Sequence, residues 1–191
     1  DNDEEYPAGT PWVFPALIEK NKAEEALGLE CDTQDGLTAQ IMAIRSGPVR
    51  AYNQKAKPTY RLRPSDFIVK VNGLEGKSAR FVEKMKKEAK LELLVKRAME
   101  FCIAIVREDV NKPVGLEFAK KLTGNALLVS KVTPGGPVVD WNSANMLREV
   151  CSGDRVVAVN GEQGKAADLL KRLKEARRFQ LTIHRPAESE V

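Results

Sequence analysis

Nucleophilic catalysis of the Ser–His–Asp kind needs an imidazole base, and this chain of 191 residues holds one histidine, His184. His184 closes the alternating segment Phe179-Gln180-Leu181-Thr182-Ile183, and the tail of such a strand is expected to leave it on the surface. Cys31, Cys102 and Cys151 are scattered, and with a single histidine they cannot supply the ligand set of a zinc site. Gly153, Gly161 and Gly164 stand at turn positions and form neither a phosphate loop nor a dinucleotide fingerprint. The residue types therefore predict no enzyme, no metal and no cofactor. Cys31 occupies the repeat position of Phe118, Cys102 sits in the apolar run Phe101-Cys102-Ile103, and both read as small buried hydrophobes. Without a pairing pattern, the cysteines suit a reducing compartment.

The informative glycines are those that occur twice. Gly28, Gly47-Pro48, Asp66, Val71-Asn72-Gly73, Gly76 and Arg97 recur 87 to 89 residues later as Gly115, Gly136-Pro137, Asp154, Val159-Asn160-Gly161, Gly164 and Arg185. A repeat that keeps its turn residues while its surface diverges is a duplicated fold. A unit of this length can enclose its own core. The boundaries predicted are an acidic N-terminal arm at 1–10, a first domain at 11–98, a second at 99–186 and a tail at 187–191.

The elements that must position these turns follow from periodicity. Trp12-Val13-Phe14-Pro15-Ala16-Leu17-Ile18 reads as a strand that Pro15 confines to an edge or a bulge, and Phe101-Cys102-Ile103-Ala104-Ile105-Val106 takes its place in the second repeat. Residues 37–44 and 126–132 are β-rich and stop at Ser46-Gly47-Pro48 and Thr133-Pro134-Gly135-Gly136-Pro137, after which a short helix fits. Residues 67–71 and 155–159 are strands running into Asn-Gly, a hairpin signal because that turn needs positive φ. Phe81, Val82 and Met85, and Ala166, Leu169, Leu170 and Leu173, form stripes of period 3.6 and predict an amphipathic helix in each repeat. Residues 91–95 and 179–183 close the units as alternating strands. Four residues, Arg97 to Glu100, are left as a linker, short enough to predict a semi-rigid tandem.

This order of elements and these turns resemble two PDZ domains in series, from about Pro11 to Pro186. Ala26-Leu27-Gly28-Leu29 and Pro113-Val114-Gly115-Leu116 resemble that family's carboxylate-binding loop. Ser152-Gly153-Asp154 through Val159-Asn160-Gly161 resembles its Gly-Asp strand and Val-Asn-Gly turn, while the first repeat departs with Pro64-Ser65-Asp66. Trp141-Asn142 after Gly136-Pro137 resembles a variety found in unicellular algae. The fold implied is mainly β with α: a partly open barrel or sandwich of five to six strands and one to two helices per unit, duplicated in tandem.

The resemblance also implies a mechanism. An extended peptide adds as a strand between the second strand and the late helix, and backbone N–H groups hold its terminal carboxylate. By position, the amides of Val114, Gly115 and Leu116 would hold the carboxylate in the second unit. Val114, Leu116, Phe118, Leu170 and Leu173 would line the side-chain pocket, with Ala166 at the helix start. The first unit offers Leu27, Gly28, Leu29, Cys31, Val82 and Met85, with Ser78 near the helix start. Neither helix start is His, which in the family selects a hydroxyl ligand, so an apolar preference is implied for the second groove. Glu24-Glu25 precedes the first loop and repels a carboxylate, whereas Lys112 precedes the second. The second groove is therefore the favoured one, with the modest affinity of a small interface.

Net charge is +4, but Lys and Arg alternate with Glu along the helices, a solvated-face pattern that predicts no nucleic-acid partner. No apolar run reaches the roughly 20 residues that span a bilayer. The chain opens at Asp1 without Met, read as a sign of removed upstream residues. The compartment would then be the cytoplasm or, after loss of a transit segment, a plastid. The acidic opening, Asp1-Asn2-Asp3-Glu4-Glu5, would be held by a partner surface, and Ser189-Glu190-Val191 itself resembles a PDZ ligand.

Three functions fit. The first is a non-catalytic tandem adaptor or scaffold whose second groove captures a partner's C-terminal peptide. The second is a structural accessory subunit of a large organellar, photosynthetic membrane assembly. It would dock through its outer surfaces and its N-terminal arm, with both grooves idle. The third is the regulatory part of a PDZ-bearing protease.

Overall fold

The computed structural model describes residues 8–188. The expectations for residues 1–5 and for the Ser189-Glu190-Val191 tail fall outside the described residues, as does most of the 1–10 arm. The chain divides into two compact units, Asp1–Ala98 with Pro186–Val191, and Met99–Arg185.

The first unit runs β1 (Val13–Glu19), β2 (Leu29–Asp32), β3 (Ala39–Ile44), α1 (Pro48–Lys55), β4 (Phe67–Val71), β5 (Leu74–Glu75), α2 (Ser78–Lys87) and β6 (Lys90–Lys96). Its antiparallel sheet has the order β1-β6-β4-β3-β2, with β5 on β4. The second unit runs β7 (Ala98–Val106), β8 (Leu116–Phe118), β9 (Leu127–Val132), α3 (Pro137–Ala144), β10 (Arg155–Val159), α4 (Ala166–Glu175) and β11 (Arg178–Pro186), in the order β7-β11-β10-β9-β8. Element for element the two orders are the same, mainly β with α. Neither sheet closes into a barrel.

β1 alternates as its sequence requires: Phe14, Ala16 and Ile18 point into the core and Pro15, Leu17 and Glu19 out. Arg97 N–H donates to the Trp12 carbonyl and Lys20 N–H to that of Ala89, so the even-numbered residues between them face β6. The Pro15 nitrogen therefore lies on the open edge, where no ladder bond is lost and strand addition is blunted.

The Asn-Gly turns are true left-handed positions, φ 47° at Asn72 and 52° at Asn160. Each asparagine also clamps the last strand of its unit. Asn72 N–H donates to the Glu92 carbonyl while its Oδ1 accepts from Glu92 N–H, and Asn160 does the same with Gln180. Ser65 stands where the second unit has Gly153 and keeps the same left-handed backbone, φ 74° against 93°.

α2 buries Phe81 and Met85, and α4 buries Leu169 and Leu173. Each of these large side chains contributes on the order of 2 kcal/mol by leaving water. Two separate cores result, one around Phe14, Ile18, Ile41, Ile68, Phe81 and Leu93, the other around Ile103, Leu127, Val156, Leu169, Leu181 and Ile183.

Three expectations need correction. The linker is not four residues long: β6 ends at Lys96 and β7 begins at Ala98, because β7 takes in Met99 and Glu100, both exposed and outside the alternation that begins at Ile103. His184 is not on the surface. β11 runs on to Pro186, and the imidazole Nε2 lies buried 2.6 Å from Glu100 Oε2 on β7. Cys31 and Cys102 are half-buried rather than buried, and Cys102 Sγ lies 3.7 Å from Thr182 Oγ1.

Candidate peptide-binding groove

A glycine and a Gly-Pro turn build the mouth of each groove together. Gly28 has φ 78°, and a Cβ there would stand 2.6 Å from the Ser46 carbonyl oxygen; a Cβ on Gly47 would stand 2.8 Å from that of Leu27. In the second unit Gly115 has φ 90°, and a Cβ would meet the Gly135 carbonyl oxygen at 3.3 Å. The loop thus lies backbone against backbone on the turn that starts the next helix, a contact that only glycine permits in the first unit and that leaves slightly more room in the second.

The polarity of this contact matters. Carbonyls of the loop turn inward: Leu27 accepts from Val49 N–H and Gly28 from Arg45 N–H, and in the second unit Val114 accepts from Val138 and Gly115 from Thr133. Among the described residues no acceptor takes the N–H groups of Leu27, Gly28, Val114 or Gly115. Consecutive amides left free beside a glycine form a concavity suited to an anion.

Each loop feeds an edge strand. β2 and β8 are terminal in their sheets, so one side of each carries the open hydrogen-bonding groups that strand addition requires. Val114, Leu116, Phe118 and Leu170 rest half-buried on the second core, and Leu29, Cys31 and Val82 on the first. Ala166 and Leu173, and Leu27 and Met85, are buried and belong to the cores themselves, and Ser78 is buried beside them. The predicted residues therefore divide into a half-exposed apolar floor and the supports beneath it.

The late helix is pinned at both ends. At its start, Ser78 N–H donates to the Gly36 carbonyl and Ala166 N–H to that of Gly124, both in the loop after the edge strand. At its end, Lys20 Nζ donates to the carbonyls of Ala23 and Met85. Arg107 does more. Its Nε reaches the Ala176 carbonyl at 2.8 Å, Nη2 those of Leu173 and Lys174, and Nη1 that of Lys112. Each cation closes the negative end of a helix and ties it to the loop. Sequence reasoning missed both, although each directly follows the first strand of its unit, at the same repeat offset. Burial lowers the Lys20 ammonium from its ordinary pKa against the pull of Glu24 and Glu25. Burial, with Asp32 adding to it, pushes the Cys31 thiol up to about 12, which keeps it protonated.

α4 also carries a shallow hollow lined by Ala167, Leu170, Lys171, Lys174 and Glu175. Among the described residues no three His, Cys, Asp or Glu side chains are placed to hold a metal.

Comparison with known proteins yields no matching family model and no matching curated protein. Solved structures similar to this chain include INAD PDZ45 in complex with NG2 peptide, at 16% identity over 93% of this chain and 90% of that one, with a TM-score of 0.39. Another is the complex of INAD PDZ45 and NORPA CC-PBM, at 17% identity over 95% of each chain and a TM-score of 0.37. No helix among the described residues is long and apolar enough to cross a membrane.

Proposed function

We propose that this chain is a non-catalytic interaction protein of tandem PDZ-like build, whose second groove captures the C-terminal peptide of a partner protein by strand addition to β8. The observation carrying this reading is the coincidence, at one end of an open edge strand, of free Val114 and Gly115 amides with an apolar floor of Leu116, Phe118 and Leu170. The amides take the carboxylate, β8 takes the peptide backbone, and the floor takes the last side chain. An array of peptides with free C-termini, each paired with its C-terminal amide, tests this. Selective binding that amidation abolishes supports the reading, and indifference to the terminal charge contradicts it.

A second reading rests on Met146 and Leu147, which are 80% and 100% exposed between α3 and β10. Such apolar exposure suits an accessory subunit that docks through its outer surface with its grooves idle. It predicts that Met146→Ser/Leu147→Ser loses a large native complex while peptide binding is untouched.

A further inference from the structure

Three differences between the repeats brace the second groove where its carboxylate loop meets the end of α4. Lys20, Ala26 and Ala89 of the first unit stand where the second has Arg107, Pro113 and Arg177. Lys20 Nζ reaches one carbonyl of its loop, Ala23 at 2.7 Å, and one of its helix, Met85. Arg107 is buried and uses its whole fork. Its Nε donates to the Ala176 carbonyl at 2.8 Å, Nη2 to those of Leu173 at 3.0 Å and Lys174, and Nη1 across to that of Lys112 at 3.4 Å. Arg177 adds a second tie, Nη2 to the Glu108 carbonyl at 2.7 Å, which Ala89 has no side chain to match. Pro113 then fixes φ between Lys112 and the amides of Val114 and Gly115.

Resting on the reading of the second groove as a peptide site, we propose that Arg107, supported by Arg177, is the positioning residue that sets its selectivity for the ligand's last side chain. Arg107 acts through the loop and the helix rather than by touching the ligand. It holds the loop that takes the carboxylate and the Leu173 turn of α4 at one separation, and the last side chain enters between them, onto Leu116, Phe118 and Leu170. A planar guanidinium bonded on both sides cannot lengthen as a lysine stem can, so the pocket keeps one width. A preorganised pocket of one width discriminates between last side chains by size. The first groove, held by Lys20 alone, adapts to several.

The test is titration calorimetry of the full chain with four peptides from the array, identical except for a last residue of Ala, Val, Leu or Phe. The unaltered chain is expected to spread their affinities about tenfold or more, the size that a methylene or two makes in a fixed apolar pocket. Arg107→Lys, which copies the first unit, should compress that spread to about threefold or less, losing affinity for the best peptide and keeping it for the worst. Arg177→Ala, which copies Ala89 and alters an exposed side chain, should compress it in the same direction by less. A role in folding alone would weaken all four peptides by one factor and leave the spread intact. An intact spread in Arg107→Lys, or in Arg177→Ala should the lysine variant not fold, would overturn this inference alone, as would affinities in the unaltered chain that do not depend on the last residue. Absence of binding by all four peptides, or binding that survives amidation of the C-terminus, would overturn the groove reading and this inference with it.

Discussion

Arg97 donates to Asp66 at 2.6 Å, and neither side chain reaches solvent. The guanidinium also serves the carbonyls of Arg61 and Thr59 and lies 4.4 Å over the Phe14 ring. The second unit repeats the arrangement with Arg185, Asp154 and Phe101, at 2.7 Å and 4.8 Å, but there Arg185 is partly exposed. This buried pair explains why Asp66, Arg97, Asp154 and Arg185 persist through the duplication.

Removing the acid without a substitute strands Arg97 and the Arg63 N–H, which Asp66 Oδ2 also accepts. Asp66→Ala is expected to cost about 3–5 kcal/mol. The same change at Asp154 should cost less, because solvent can reach Arg185. Chemical denaturation of each variant checks the order, and equal losses would contradict it.

Asp66 Oδ1 is buried with no partner among the described residues, and burial pushes this carboxyl up to about 6 against the pull of Arg97. A carboxyl raised in the folded chain favours the fold when protonated. Its contribution is complete below the ordinary value of about 4 and is lost as pH rises through about 6. Asp66→Asn keeps an acceptor for Arg97 and cannot ionise. It should therefore gain stability relative to the unaltered chain between pH 4 and pH 7, as denaturation midpoints across that range will show. A relative loss would place the folded value below the ordinary one.

Ser65 holds a left-handed backbone that costs an L-residue roughly 1–2 kcal/mol. Ser65→Gly relieves this at an entropic cost of about 0.5–1 kcal/mol, so the first unit should gain up to about 1 kcal/mol. Gly153→Ser should lose a similar amount through backbone strain alone, since a Cβ at Gly153 meets nothing within 4 Å. Thermal unfolding with the opposite pair of signs would refute the account.

Gly28→Ala drives a methyl group against a backbone oxygen at 2.6 Å, whereas Gly115→Ala meets one at 3.3 Å. The first substitution is expected to disrupt its unit and the second to cost about 1–2 kcal/mol. Hydrogen exchange, resolved by unit, separates the two outcomes.

Much of this was legible in the sequence, because β4 and β10 are bounded by Asp and Asn-Gly and because α2 and α4 carry clean apolar stripes. β2 and β8 were not visible as strands. At four and three residues they are too short for a periodic signal, and they form by pairing with β3 and β9. The clamps Lys20 and Arg107 look like ordinary solvated charges until the fold brings the helix end to them. His184 lies inside the strand because β11 runs three residues past Ile183, where the apolar alternation stops. The free amides of the loops are invisible to any reading of side chains.

The most direct test of the central claim is an amide NMR titration of the full chain with an array-selected peptide, once with a free carboxylate and once amidated. The account predicts that the carboxylate form moves Val114, Gly115 and Leu116 strongly, with β8 following, and that the amidated form leaves Val114 and Gly115 in place. Equal shifts from both forms, or shifts confined to surfaces away from β8 and α4, would contradict it.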